Sequence, residues 1–168
     1  CRSLQTINIS KNCPVYDQIR KAYSNIQLIE PKVNESSSLG LNSKVKKKFD
    51  KVDAVDNVSP IQFEDPEVER IFHEHGVYTV DDADRVTSIK HWFSNNSYIK
   101  TFDELKYFTG LKTIEDMAFS FCNVLQSITI PNSVTRIGDR CFEVCDSLKS
   151  INIPDGVTSI EYGTFYRC

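Results

Sequence analysis

The sequence predicts an α/β solenoid, short parallel strands stacked coil upon coil, and three observations carry that prediction. Residues 123–145 (NVLQSITIPNSVTRIGDRCFEVC) and 146–168 (DSLKSINIPDGVTSIEYGTFYRC) align without a gap, and ten of 23 positions agree. The matched apolar residues hold one phase: Leu125/Leu148, Ile128/Ile151, Ile130/Ile153, Val134/Val157, Ile137/Ile160, Phe142/Phe165 and Cys145/Cys168. A unit this short cannot bury its apolar side alone, so neighbours must stack into a continuous core. Within each unit, Ile128 and Ile130 alternate with Ser127 and Thr129 as a half-buried strand requires. Pro131 and Pro154 lack a backbone donor and end the strands. Gly138 permits a turn, and residues 140–145 suit one helical or 3₁₀ turn that tucks Phe142 and Cys145 inward.

The pattern C-x-x-L-x-x-I-x-I-P-x-x-V-T-x-I-x-x-x-x-F-x-x-C resembles the leucine-rich repeats of the BspA-like bacterial surface proteins. That resemblance implies a right-handed β/α superhelix of 23-residue repeats with a small helical capping segment before them. Ser133 and Gly156 stand where the commonest leucine-rich repeat carries Asn or Cys, so no asparagine ladder is implied.

Residues 1–30 are expected to be the C-terminal end, or cap, of an upstream array. Cys1-Arg-Ser-Leu4-Gln-Thr-Ile7-Asn-Ile9 repeats the phase of Cys145-Asp-Ser-Leu148-Lys-Ser-Ile151-Asn-Ile153, which explains Cys1 better than a lipid anchor does. The chain is thus expected to open on the closing cysteine of a further repeat and to stop inside an array. Val15, Ile19 and Tyr23, four apart, predict a short amphipathic helix, and residues 25–30 a last strand stopped by Pro31. Residues 31–59 read as a linker. Its basic run (Lys44, Lys46, Lys47, Lys48, Lys51) is balanced by Asp50, Asp53 and Asp56, with Phe49 the one aromatic, as in a solvated stretch rather than a nucleic-acid patch. Two packing units, 1–30 and about 60–168, follow from this reading, the first of them unstable alone unless it docks on the larger solenoid.

Residues 60–99 are expected to hold the helical cap and a degenerate first repeat. Asp65-Pro66-Glu67 is a helix start, Val68, Ile71 and Phe72 share a face, and Gly76 is placed to end the helix. Asp81 or Asp82 could cap a second helix. Val86-Thr-Ser-Ile89 repeats the wording of Val157-Thr-Ser-Ile160, with Phe93 behind it, and Trp92 is placed to seal the open end. Residues 100–168 are then leucine-rich repeats. Phe102, Leu105 and Tyr107 fall 23 residues before Leu125, Ile128 and Ile130, although residues 103–107 could instead form a helical turn.

Composition excludes several functions. The net charge of −3 argues against nucleic acid or an anionic membrane as partner, and no apolar run suits membrane insertion. His73-Glu74-His75 and His91 are the one cluster with metal chemistry. Histidines two apart on a helix diverge, so exposed helix-end histidines and no metal site are expected. Cys122, Cys145 and Cys168 recur at the repeat period and are expected to stack as free, buried, apolar residues. Cys13 and Cys141 are less constrained. No nucleophile elbow, phosphate loop or Cys/His pair is visible, so neither an enzyme nor a cofactor is expected.

The strand face remains. Gln126, Ser127, Thr129, Lys149, Ser150 and Asn152 can vary without touching the core, which makes them the candidate ligand-binding residues. The resemblance implies an adhesion module at the cell surface or secreted, recognising a protein or other extracellular macromolecule. A passive spacer carrying a separate domain is the alternative, and an ion-dependent regulatory module a weaker third. IQFEDPEVERIF and SYIKTFDELKYFTGLKTI resemble the segment before the repeats in that family, where a loop with alternating carboxylates often resembles a calcium site. Here His73-Glu-His-Gly-Val-Tyr78 is shorter and lacks the oxygen ligands that calcium needs. Millimolar calcium is therefore expected to leave the melting temperature unchanged. A rise of several degrees, abolished by a chelator, would contradict this.

Overall fold

The computed structural model describes residues 3–31 and 59–168, so the expected linker and its lysine run fall almost wholly outside the described residues. In chain order the elements are β1 (Thr6–Ile9), α1 (Tyr16–Ala22), β2 (Gln27–Ile29), α2 (Pro66–Glu74), α3 (Val80–Arg85), β3 (Ser88–Ile89), β4 (Thr101–Phe102), β5 (Thr113–Ile114), β6 (Ser127–Ile128), β7 (Arg136–Ile137) and β8 (Ser150–Ile153). Two 3₁₀ turns, His91–Phe93 and Glu104–Tyr107, interrupt the series. The named strands pair parallel, in a sheet ordered β2-β1-β8-β6-β4 and a second ordered β3-β5-β7. Ile160 adds one further rung beside Ile137. Parallel strands stacked by successive coils make this a mixed α/β repeat solenoid.

A third ladder holds the coils together on the side away from the strands. Met117, Phe119 and Phe121 donate their N–H groups to Asp139, Cys141 and Glu143, and Arg140, Phe142 and Val144 repeat this to Tyr162, Thr164 and Tyr166. The turn expected at 140–145 forms as successive tight turns and not as a helix, with Glu143 N donating to Arg140 O at 3.0 Å and Cys145 N to Phe142 O at 3.4 Å, which leaves the N–H groups of Arg140, Phe142 and Val144 to reach the next coil. The backbone instead passes through the left-handed region twice per coil, at Met117, Arg140 and Gly163 and again at Phe121, Val144 and Arg167. Met117, Phe121, Arg140 and Val144 tolerate it because each strained peptide gains an inter-coil bond.

The core follows the repeat phase. Ile128, Ile130, Ile151 and Ile153 are buried, while Thr129 is exposed. Phe93, Phe119, Phe142 and Phe165 stack face on face, with centroids 5.1, 5.3 and 5.9 Å apart and rings within 13° of parallel. Each such pair contributes about 0.5–1.5 kcal/mol beyond its burial.

At residues 100–111 the 23-residue offset fails. Phe102 pairs with Ile128, and Thr101 with Ser127, so the strand lies 26 residues before its partner. Buried Ile99 thereby takes the leucine position. The extra residues are absorbed by the Glu104–Tyr107 turn, and Ile114 is back in step with Ile137. The helical-turn alternative holds, not the strict register.

The cap is built as its sequence suggests, with one change. Asp65 accepts from the N–H of Glu67 at 2.9 Å and Gly76 turns the chain at φ 75°, a left-handed conformation that glycine adopts without strain. In the second helix Thr79, not Asp81 or Asp82, is the cap. It accepts from Asp82 N while the Asp82 carboxylate accepts from Thr79 N, a capping box. Phe72 gathers Phe63, Trp92, Phe93, Phe102 and Phe108 around it, so Trp92 does seal this end. Gly110 lets the array's first turn close against α3: a Cβ there would lie 1.9 Å from the carbonyl oxygen of Asp84.

Residues 3–31 are docked on the coils of residues 59–168, the alternative left open for this segment. β1 lies beside β8 in four-residue register, Ile7 against Ile151 and Ile9 against Ile153, and β2 continues the same sheet. The segment thereby packs on the last described coil, residues 146–168. If this phase assignment is right, Ile151→Ala costs about 2–5 kcal/mol in chemical denaturation, since it opens a cavity between β1 and β6. Thr129→Ala stays within about 0.5 kcal/mol. Equal costs would mean an inverted strand phase.

Candidate functional site

The strand face is a set of rows, one residue per coil. Thr101, Ser127, Ser150 and Thr6 lie in register across β4, β6, β8 and β1, which spaces them about 4.8 Å apart. All four are half-buried at the base of the face, and their hydroxyls make no hydrogen bond among the described residues. Gln126, Lys149 and Gln5 form the exposed row beside them. The backbone of that row is already bonded coil to coil (Gln126 N to Lys100 O, Lys149 N to Gln126 O, Gln5 N to Lys149 O), so the side chains stand on a fixed frame.

Of the six residues named from the sequence, the structure brings together Gln126, Ser127, Lys149 and Ser150. Thr129 is exposed at the far end of the strand. Asn152 has another task. Its amide accepts from Ile130 N at 2.7 Å and donates to Ile130 O at 2.8 Å, bridging two coils where β6 has already ended. A shallow depression of about 380 Å³ along the row on the N-terminal side of the strands is lined by Gln5, Gln126, Asp146 and Lys149. A second, of about 400 Å³ on the C-terminal side of the strands, is lined by Lys106, Thr109, Thr129 and Asn132. Thr101 and Thr6 belong to the face although sequence reasoning missed both. The Ser/Thr-apolar pair repeated in each strand was the signal, hidden at Thr101 by the 26-residue offset and at Thr6 by its distance in the chain.

Beneath the face runs a cysteine ladder. The Cys122 thiol donates to Phe93 O at 3.1 Å, Cys145 to Phe119 O at 3.1 Å and Cys168 to Phe142 O at 2.9 Å. Each cysteine follows its coil's core phenylalanine by three residues and reaches the phenylalanine carbonyl one coil back. Reading them as merely apolar was therefore incomplete: they also tie coils together as donors. Asn96 holds the same position in the first coil. With no coil behind it, it donates to Glu67 of α2 at 2.9 Å and accepts from the N–H groups of Tyr98 and Ile99. Cys13, Cys122, Cys141, Cys145 and Cys168 are free and buried. Burial pushes the Cys122 thiol up to about 12 and Cys141 well above its ordinary value. Cys145 is pushed up by the Cys168 sulfur beside it and then by burial.

Two of the three histidines pack against aromatic rings, and His91 is exposed. His75 stacks on Trp92 at 4.1 Å and its Nδ1 lies 2.8 Å from Ile71 O, while His73 stacks on Tyr78 at 4.7 Å. Both lie at the end of α2 as expected, His75 exposed and His73 half-buried, and each has in addition a ring partner. Among the described residues no group of three or more His, Cys, Asp or Glu side chains is placed to hold a metal ion, and no helix is long and apolar enough to cross a membrane.

Because a thiol reacts as its thiolate, Cys122, Cys141 and Cys145 should be almost inert toward a disulfide reagent at pH 8. Their modification is expected to be at least about 100-fold slower in the native protein than in denaturant, and to follow global unfolding. Rapid native-state labelling of any of the three, located by mass spectrometry, would contradict the ladder.

Residues 69–168 match six copies of the family model described as the BspA type leucine-rich repeat region. No curated protein and no solved structure matches the chain.

Proposed function

Because the chain belongs to the BspA-type leucine-rich repeat family, we propose that it is a non-enzymatic binding module of a cell-surface or secreted adhesion protein. Its ligand is a protein or other extracellular macromolecule, taken on the strand face of a right-handed solenoid of 23-residue coils. The observation that carries this reading is the hydroxyl row Thr101, Ser127, Ser150 and Thr6, four donors in register with no partner among the described residues. Unengaged hydroxyls on a rigid frame can bond to a ligand at little entropic cost, since the frame is ordered beforehand. The flanking Gln126, Gln5 and Lys149 add longer polar side chains. The row itself is uncharged, which favours recognition by shape and hydrogen bonding over charge attraction. A passive spacer is the second reading, favoured by the same small, uncharged side chains.

Binding to a panel of immobilised extracellular-matrix proteins and polysaccharides tests the choice. Ser127→Arg with Ser150→Arg puts two long cations on the row and is expected to weaken binding at least about tenfold with unchanged thermal stability. Thr158→Arg, exposed elsewhere on the coil, is the control and should bind as the parent does. Parent-like binding by the double variant would overturn the strand-face assignment. No binding by the parent chain to any member of the panel would favour the spacer.

A further inference from the structure

Asparagine followed two residues later by serine, with any residue but proline between, is the acceptor motif for an N-linked sugar. The chain spells it at Asn8, Asn34, Asn57 and Asn95. Asn34 and Asn57 lie outside the described residues. Asn8 lies in β1, with Ile9 buried between it and Ser10. A sugar there would stand on the strand face, level with Asn152 and two residues from Thr6. Asn95 is placed otherwise, and the coil itself decides where.

Asn96, the middle residue of Asn95-Asn96-Ser97, stands where the later coils carry the inward cysteines Cys122, Cys145 and Cys168. Its oxygen accepts from Tyr98 N and Ile99 N at 2.9 and 3.0 Å, and its nitrogen donates to Glu67 at 2.9 Å. With the middle side chain turned in and held, its two neighbours are turned out, and Asn95 and Ser97 are both exposed. Asn95 has φ 61°, a left-handed conformation that asparagine tolerates better than most residues. Its N–H donates to Ser120 O at 2.8 Å, which puts it on the third ladder, the side away from the strands. The side-chain nitrogen, the atom a sugar would join, donates to the adjacent Ser94 Oγ at 3.2 Å. The Ser97 hydroxyl has no hydrogen bond among the described residues.

An attached sugar therefore disturbs one contact with a chain neighbour and no bond between coils. Phe121 holds the position of Asn95 one coil further on, about 4.8 Å along the array. Phe121 is 44% exposed and Tyr98 is 73% exposed. These rings give the first sugars an apolar surface to lie on, and the sugars take part of that surface out of water.

We propose that Asn95 is the acceptor of an N-linked oligosaccharide, carried on the side of the solenoid away from the strand face. The inference rests on the exported location proposed above, and on neither the ligand nor its face. The donor is an oligosaccharide linked to a lipid pyrophosphate. Transfer forms a bond between Asn95 Nδ2 and the anomeric carbon and breaks that carbon's bond to the phosphate oxygen. The lipid pyrophosphate leaves with the electron pair, and the amide gives up one proton. So placed, the sugar leaves Thr6, Thr101, Ser127 and Ser150 uncovered.

The test uses the full chain with Asn8→Gln, Asn34→Gln and Asn57→Gln, so that Asn95 is the one motif left. A secretion signal is added and the chain is expressed in cells whose export pathway transfers oligosaccharides from that donor. Intact mass and peptide mapping should find one oligosaccharide, on Asn95. It should be lost in Asn95→Gln and in Ser97→Ala, which leaves the left-handed residue untouched, and kept in Ser97→Thr. Removal by an amidase in heavy-oxygen water should leave labelled aspartate at position 95. The stripped protein should unfold within about 2 °C of the glycosylated one, as expected when an exposed group changes without losing a contact. Secreted protein that is folded by circular dichroism yet bare at Asn95 would overturn the proposal. So would a sugar that persists in Ser97→Ala. A fall of many degrees on removal would overturn its placement clear of the bonds between coils. The signal is supplied and no ligand is read, so failure here leaves the strand-face reading standing.

Discussion

Backbone hydrogen bonding between successive coils is the interaction on which the rest of this structure depends. A coil of some 23 residues has little helix and no hairpin in which to satisfy its own peptide groups, so those groups must be met by the coils on either side. Three parallel ladders do this: the strand sheet, the shorter second sheet and the run from Met117 through Val144 on the remaining side. Side-chain phase is a consequence. Once coil sits on coil in register, a phenylalanine must stack on a phenylalanine and a hydroxyl must follow a hydroxyl.

The same constraint explains features that would look unfavourable in isolation. Val144, a β-branched residue at φ 56°, is strained by itself, yet that conformation aims its N–H at Tyr166 O at 2.8 Å. Five buried thiols look like inert filling, but those of Cys122, Cys145 and Cys168 each bond to a carbonyl of the preceding coil. A second donor on a carbonyl that already accepts a backbone N–H adds modestly to each junction. Repetition makes the sum matter, because a solenoid's stability is roughly the total of its nearest-neighbour interfaces.

The first and the last described coil meet different partners. The α2 end is aromatic and apolar, with Phe72 at its centre and Asp65 reaching Lys100 N at the sheet's edge. The β8 end is met by a strand and a glutamine amide. Between these ends the side chains of the strand face's outward rows, Asn152 excepted, make no hydrogen bond among the described residues.

The repeat phase determined by itself which residues are core. Leu125 to Cys145 and Leu148 to Cys168 could be assigned because stacked coils impose one apolar pattern on every unit. Local capping chemistry located the first helix start, since the Asp65-Pro66-Glu67 cap acts within a single turn. Tertiary structure alone decided the rest. Phe102, Leu105 and Tyr107 fit a strand at an offset of 23 and a 3₁₀ turn at 26 equally well, and only packing beside β6 separates the two. The thiol donors were hidden because a carbonyl one coil back carries no sequence label. Asn152 read as a surface residue because a break in the ladder at Ile130 is invisible in a pattern of apolar positions. The phase of Leu4, Ile7 and Ile9 marked them as a repeat-like unit without saying which coil they pack on. Periodicity specifies how a segment fits a neighbour, and every end of the same repeat presents the same neighbour.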